Sequence, residues 1–116
     1  MNDLSILDAE AIKNLRALGD EMEDDSFLKE VVEIYLTDTP KRLSEIHECL
    51  ASSDSPTINR AAHSIKGSSS NLGAVKVITV AKRIEEKSKE SLENLEADIA
   101  ELEAAFAEAK AALEAL

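Results

Sequence analysis

Apolar residues recur three and four positions apart along almost the whole chain, and this spacing limits the fold more than any other feature. Such a pattern places apolar side chains on one face of an α-helix. The 116 residues include only three Gly and two Pro, which leaves few positions for the tight turns of a β-sheet protein. Aromatic residues make up 3% of the chain, whereas strands favour aromatic and β-branched side chains. The sequence therefore predicts an all-α protein.

The apolar pattern divides into five predicted helices separated by short breaks. Short connections make consecutive helices antiparallel, so the four longer segments predict an antiparallel four-helix bundle that a short N-terminal helix covers. No linker or internal repeat divides residues 1–116, which predicts a single domain. The predicted segments are 7–18, 26–51, 55–72, 74–89 and 92–116.

Capping and helix-breaking residues set the expected ends of these segments. Gly19 follows the first segment, where a left-handed residue commonly ends a helix. Ser55 before Pro56 is the predicted N-cap of the third segment, and Ser91 is the predicted N-cap of the last. Pro40 lies inside the second segment, which it is expected to kink or interrupt.

The charge of the chain argues against polyanionic partners. Thirteen Lys and Arg against 24 Asp and Glu give a net charge of −11. Binding to nucleic acid or to an anionic membrane needs clustered cations, so neither is expected, and the charged residues are interpreted as solvated helix faces.

Several further features predict a cytoplasmic location. No apolar run approaches the roughly 20 residues of a transmembrane helix, and the N-terminus lacks the pattern of a signal peptide. The single cysteine, Cys49, makes no internal disulfide, which agrees with a reducing compartment.

The third predicted helix contains the least helix-like stretch of the chain, Gly-Ser-Ser-Ser at positions 67–70. Gly inside a helix costs about 1 kcal/mol relative to Ala. A helical wheel points His63 away from the apolar stripe, with Gly67 one turn further along the same face. The stripe consists of Ile58, Ala61, Ala62, Ile65, Ser69 and Leu72. The residues around His63 are Asn59, Arg60, Lys66, Gly67 and Ser70.

Two interpretations of this face remain open from the spacing. Either Gly67 ends the helix and His63 is an incidental surface residue, or the missing side chain opens a surface that another protein approaches closely. Apolar positions continue through Ile65 to Leu72, and Gly73 is the better helix terminator. Both observations favour a helix that continues through Gly67.

The segment from Ala62 to Ala74 resembles the signature of histidine-containing phosphotransfer (HPt) domains. It reads AHSIKGSSSNLGA and follows the pattern A-H-x-[LI]-K-G-[SA]-x-x-x-[LIV]-G. The resemblance covers most of the chain, since similar residues occur in the family at positions 7–8, 35–40 and 84–85. Some members carry Gln in contact with the active His, at the place of Glu85, where a carboxylate would favour the imidazolium.

The resemblance implies a phosphorelay intermediate. His63 would accept a phosphoryl group from an aspartyl phosphate on a receiver domain and pass it to an aspartate on another. Lys66 would place positive charge near the phosphoryl oxygens, Gly67 would give the receiver access, and Glu85 would contact His63. The chain would need no cofactor of its own, because the Mg²⁺ of the reaction belongs to the receiver.

The expected partners are response-regulator receiver domains and a hybrid sensor kinase. They would dock on Asn59, Arg60, Gly67 and Ser70. The sequence contains no nucleotide-binding loop of a kinase, so no ATP-dependent phosphorylation by this chain is expected. The alternative is a helical adaptor that binds receivers without phosphotransfer.

The remaining histidine and the last helix are interpreted without a chemical role. His47 has no Lys-Gly neighbour and is expected at the surface, and Cys49 is expected to be partly buried. A di-iron site would need Glu three residues before each His, where Ser44 and Arg60 stand. The last helix is interpreted as part of a monomeric bundle, and a dimerising coiled coil is the alternative.

Overall fold

The structure, a computed structural model, describes residues 6–18 and 26–116, and these residues form five α-helices. Gly19, the expected end of the first helix, lies outside the described residues. Within them no strand forms, and the all-α prediction is confirmed. The helices are α1 (Ala9–Leu18), α2 (Ser26–Ala51), α3 (Ser55–Leu72), α4 (Val75–Ser88) and α5 (Leu95–Glu114).

The four longer helices form the predicted bundle, and α1 covers one side of it. Each of α2, α3 and α4 packs against the next helix in the chain, and α5 closes the bundle against α2. Helix α1 lies across α2 and α3. Among the described helices none has both the length and the apolar character needed to cross a membrane.

Helix α3 is at the centre of this arrangement because its predicted apolar stripe is buried throughout. Ile58 and Leu72 at its two ends are fully buried, and so is Ser69, whose hydroxyl oxygen lies 2.7 Å from the hydroxyl oxygen of Tyr35 on α2. Burying an Ile or Leu side chain stabilises the fold by about 1.5–3 kcal/mol. The stripe therefore fixes the rotation of α3 about its axis. Its buried residues are Ile58, Ala61, Ala62, Ile65, Ser69 and Leu72.

Helix α2 runs without interruption through Pro40, so of the two predicted effects the interruption is wrong, and the kink stays a prediction. Proline removes one backbone N–H from the helix, and the packing of the flanking turns offsets this loss. Tyr35 and Leu43, which lie on either side of Pro40 in the sequence, are both buried in the core.

The cap of α3 lies one residue earlier than the sequence predicts. Asp54, not Ser55, is the N-cap: its Oδ1 accepts the backbone N–H of Thr57 at 3.2 Å, and its Oδ2 accepts the Thr57 hydroxyl at 2.7 Å. The Ser55 hydroxyl instead donates to the backbone carbonyl of Ser88 at the end of α4. A carboxylate accepts both donors at once, which one hydroxyl oxygen does less well.

The prediction that Ser91 caps the last helix is also wrong. Helix α5 starts at Leu95, after Asn94 in the left-handed conformation with φ of 64°. The Ser91 hydroxyl oxygen accepts the N–H of Glu93 at 3.0 Å and so stabilises the preceding turn instead. Leu92 packs against the core from this turn.

Two contacts hold the corners of the bundle. At the α3–α4 turn, Gly73 has φ of 66°, and its carbonyl accepts the N–H of Asp8 at 2.8 Å. Between α4 and α5, the buried carboxylate of Asp98 accepts hydrogen bonds from Arg83 at 3.2 Å and Lys87 at 2.7 Å. Burial alone would raise the pKa of Asp98, but these hydrogen bonds outweigh it and the pKa is lowered.

Replacing each of two glycines by alanine should change stability in opposite directions. At Gly67 a new Cβ would meet nothing within 4 Å, so Gly67→Ala should raise the free energy of unfolding by about 0.5–1 kcal/mol. At Gly73 φ is positive and the new Cβ would lie 2.6 Å from the Asp8 Cβ. Gly73→Ala should therefore lower it by at least about 1 kcal/mol. Urea unfolding measures both values, and a loss of stability in Gly67→Ala would contradict the helical interior.

Candidate functional site

The face of α3 opposite the buried stripe carries His63. Its side chain is 67% exposed, and Gly67, one turn further along the helix, is exposed as well. Because the apolar stripe on the opposite side of α3 packs into the core, the His63 side chain points towards solvent. The helix continues through Gly67 to Leu72, so the interpretation of Gly67 as a terminator is wrong.

Glu85 of α4 joins His63 to Lys66. Its Oε2 lies 2.7 Å from Nδ1 of His63, and its Oε1 accepts a hydrogen bond from Nζ of Lys66 at 2.7 Å. The Glu85 side chain is only 13% exposed, and its neighbour Ile84 is fully buried in the core. The structure thus places the expected contact between Glu85 and His63, and adds a second contact that the sequence did not predict.

The surroundings of Glu85 keep it ionised. The hydrogen bond from Lys66 lowers its pKa most, partial burial opposes this, and the hydrogen bond with His63 lowers it further. An ionised carboxylate only accepts hydrogen bonds, so Nδ1 of His63 must carry the hydrogen that it donates. In the neutral imidazole this leaves the lone pair on Nε2. Within the described part of the chain, Nε2 has no hydrogen-bond partner.

Lys66 is held near His63 by the carboxylate that they share. Its ammonium group forms an ion pair with Glu85, and its side chain is partly buried. A lysine side chain has a flexible four-carbon stem and three rotatable donors, so its ammonium group can exchange one anionic partner for another nearby.

Asn59 has a role inside the fold that the sequence analysis did not predict. Its side-chain amide donates to the backbone carbonyl of Glu85 at 2.7 Å and lies 3.4 Å from the hydroxyl oxygen of Ser88. It therefore fixes α4 against α3 at the residue that contacts His63. The available signal was its position on the wheel, between the buried stripe and His63. The Asn59 amide is thus already engaged within the fold. Its predicted part in partner binding stays a prediction.

The other residues predicted for partner binding lie at the surface of α3. Arg60 is exposed and donates from Nη2 to the Thr57 hydroxyl at 3.1 Å. Ser70 is exposed, and its hydroxyl donates to the backbone carbonyl of Lys66 at 2.9 Å. These bonds stay within α3, so they leave both residues accessible.

An apolar border lies beside this face, between α2 and α3. Ile34 of α2 is 61% exposed, the most exposed large apolar side chain on that helix. With Val31 it lines a shallow cavity of about 140 Å³ that reaches Ser68 and Asn71 on α3. Asn71 lies eight residues after His63, which corresponds to about 12 Å along the helix.

Other reactive side chains lie away from this constellation. His47 is exposed on α2 and contacts Glu103 of α5 at 3.0 Å, so its predicted surface position is confirmed. Cys49 is partly buried, as predicted. In residues 6–18 and 26–116 no three or more His, Cys, Asp and Glu side chains come together as metal ligands.

Comparisons with a family model and with solved structures both match histidine phosphotransfer proteins. The family model described as the Hpt domain matches residues 30–116. The crystal structure of histidine-containing phosphotransfer protein B (HptB) from Pseudomonas aeruginosa PAO1 is similar to this chain, with a TM-score of 0.86 and 28% sequence identity. The similarity covers 97% of this chain and 94% of that chain. No curated protein gives a significant match.

The geometry separates the roles of Asn59 and Ser70 in a stability measurement. Asn59→Ala should lower the free energy of unfolding by about 1 kcal/mol, because it removes the hydrogen bond to the Glu85 carbonyl. Ser70→Ala should change it by less than about 0.5 kcal/mol, since this hydroxyl is exposed. Thermal and urea unfolding of both variants measure the difference. Equal stability of the two variants would contradict the fixing role of Asn59.

Proposed function

Since this chain belongs to the Hpt domain family and has a histidine phosphotransfer role in two-component signalling, we propose that His63 is the residue that carries the phosphoryl group. It accepts the group from an aspartyl phosphate on one receiver domain and passes it to an aspartate on another. The observation that carries this assignment is the 2.7 Å contact between Nδ1 of His63 and Glu85 on an otherwise exposed ring. The contact leaves Nε2 as the attacking atom.

The transfer needs no proton movement at the attacking nitrogen. The Nε2 lone pair attacks phosphorus, the N–P bond forms, and the P–O bond to the aspartate breaks as that carboxylate leaves. In the onward step an aspartate oxygen attacks phosphorus, and the N–P electron pair returns to Nε2. Phosphoryl transfer depends mainly on in-line positioning and on neutralising charge. A rigid helix that presents an exposed ring supplies the positioning.

Lys66 supplies the charge in this proposal. Lys66 lies about one helical turn after His63, and before transfer its ammonium group forms an ion pair with the Glu85 carboxylate. When the phosphoryl group arrives, the ammonium group moves to the phosphoryl oxygens, which carry more negative charge than one carboxylate. The Mg²⁺ of the reaction is bound by the receiver, and this chain contributes no cofactor of its own.

The same proposal extends to the partners of the chain, its location and its oligomeric state. The donors and acceptors are receiver domains, including that of a hybrid sensor kinase, and the chain has no ATP-dependent kinase activity of its own. It acts as a cytoplasmic monomer. The net charge of −11 supports partners other than nucleic acid and anionic membranes.

Substitution of the two histidines tests the acceptor directly. His63→Gln should fold normally, because the ring is exposed, and should accept no label from a ³²P-labelled phosphorylated receiver domain. His47→Gln, the matched control on α2, should accept label as the parent does. Label on His63→Gln, or loss of label from His47→Gln, would show that another residue is the acceptor. A parent chain that binds the receiver without taking label would identify an adaptor.

We further propose that the receiver docks across the α3 face onto the apolar border formed by Val31 and Ile34. The cavity beside this border reaches Ser68 and Asn71 on the same helix as His63, and an interface of this kind needs a buried apolar centre. Ile34→Ser should weaken receiver binding by roughly 3- to 10-fold without lowering the melting temperature.

The control for this experiment is Val75→Ser. Val75 is also an exposed apolar residue, but it lies in the groove between α4 and α5. Isothermal titration with a cognate receiver measures both affinities. If Val75→Ser weakens binding and Ile34→Ser does not, the docking surface is the α4–α5 groove, which would favour a role of the last helix in binding.

A further inference from the structure

We propose that Arg60 binds the phosphoryl group on His63, as a second cation on the side of the ring that Lys66 does not occupy. The inference rests on the proposed function of His63. It gives Arg60 a task in the transfer itself, beyond the contact with a docked receiver that the sequence predicts. The positions of a few side chains around the imidazole ring carry it.

Arg60 and Lys66 lie on opposite flanks of His63. Each is three residues from the histidine, one before it and one after it, so each is displaced by about 60° around the helix, in opposite directions. Lys66 forms an ion pair with Glu85 at 2.7 Å, and the Asn59 amide donates to the Glu85 carbonyl. The Lys66 flank is therefore the one next to α4, and Arg60 lies on the flank away from α4.

The free nitrogen of His63 faces the Arg60 flank. Oε2 of Glu85 lies 2.7 Å from Nδ1, so Nδ1 is directed at α4. The two nitrogens of an imidazole ring are separated by one carbon atom, and their outward directions diverge widely. A phosphoryl group on Nε2 is therefore carried away from Glu85, towards the side on which Arg60 lies.

The direction of side chains along α3 brings the ring towards the same turn. In an α-helix each Cα–Cβ bond is tilted towards the N-terminus, so a long side chain covers the turn before its own. The ring of His63 thus lies over the turn that contains Arg60, whose Cα is about 4.5 Å earlier along the helix axis. A phosphoryl group on this ring is within reach of an arginine side chain that extends from that turn.

The guanidinium group of Arg60 is available for a new partner. The side chain is exposed, and its Nη2 donates to the Thr57 hydroxyl at 3.1 Å. In the part of the chain that the structure describes, it forms no ion pair with a carboxylate. Hydrogen bonds from Thr57 lower the pKa of Asp54 most, and the charge of Arg60 lowers it further. A phosphoryl group offers charged oxygens that match the planar guanidinium, so it binds Arg60 better than a neutral hydroxyl does.

The charge of the reaction explains why a second cation matters. The transition state of phosphoryl transfer spreads negative charge over three equatorial oxygens. Lys66 approaches these oxygens from the α4 side, and Arg60 approaches them from the other side. No atom passes to or from Arg60: the guanidinium keeps its protons while the N–P bond forms and the P–O bond breaks.

The experiment compares Arg60→Gln and Arg60→Lys with the control Lys110→Gln. Glutamine removes the charge of Arg60, whereas lysine keeps the charge and loses the planar fork. Lys110 is exposed on α5, so its substitution makes the same change in net charge away from His63. Thermal unfolding checks that all three variants fold.

The first measurement needs no receiver. Each protein is phosphorylated with phosphoramidate, and the phosphoryl group on His63 is followed by ³¹P NMR as a function of pH. A cation in contact favours the fully ionised phosphoryl group, so its last ionisation in Arg60→Gln should shift upwards by about 0.5–1 pH unit. Arg60→Lys should shift less, and Lys110→Gln should titrate as the parent does.

The second measurement follows single-turnover transfer from a ³²P-labelled phosphorylated receiver over a range of receiver concentrations. Arg60→Gln should be roughly tenfold slower than the parent at saturating receiver, because a contact made in the transition state is lost. A residue that only contacts the docked receiver would raise the half-saturating concentration and leave the saturated rate unchanged.

The outcomes separate this inference from the proposed function. If Arg60→Gln shares the ³¹P titration of the parent, or if only its half-saturating concentration changes, Arg60 does not bind the phosphoryl group, although His63 can still be the acceptor. If the parent takes no label on His63 from the phosphorylated receiver, the proposed function itself fails.

Discussion

The burial of one stripe on α3 is the constraint on which the site depends. Ile58, Ile65 and Leu72 are fully or almost fully buried, and they fix how α3 is rotated between its neighbours. Once that rotation is set, the residues half a turn away have to face solvent, and His63 is among them. Rotating α3 enough to bury the imidazole would expose these side chains, each at a cost of about 1.5–3 kcal/mol. The exposure of the His63 ring is thus a consequence of core packing.

The second constraint is the contact between α3 and α4, which turns an exposed histidine into an oriented one. A surface imidazole alone can carry its hydrogen on either nitrogen and can rotate freely. Glu85 removes both freedoms by accepting from Nδ1, and Asn59 holds the backbone of Glu85 in place. The carboxylate also binds Lys66, so one anionic group sets the position of both the imidazole and a cation. The orientation of the ring therefore depends on α4, although the ring itself is on α3.

The sequence was sufficient to predict those parts of the fold that depend on periodicity. The six-residue stripe of α3 and the outward direction of His63 follow from helical spacing, and the structure agrees with both. The helix starts were less predictable, because an N-cap depends on which side-chain oxygen reaches a free N–H, and Asp54 competes successfully with Ser55. The double contact of Glu85 was predicted only in part. It joins residues 19 and 22 positions apart in the chain, and local patterns do not determine how two helices meet at that separation.

Gly67 and Gly73 differ in whether the fold itself requires a glycine. Gly73 is required by the chain itself, since its φ is positive and a Cβ would collide with Asp8. Gly67 has helical neighbours on both sides, and a Cβ there would meet nothing within 4 Å. Alanine would stabilise the helix at position 67 by about 0.5–1 kcal/mol relative to glycine. No packing contact within the described residues explains why glycine is present there instead. Under the proposed function, the space beside His63 serves the partner, because a receiver domain has to bring its aspartate within bonding distance of Nε2.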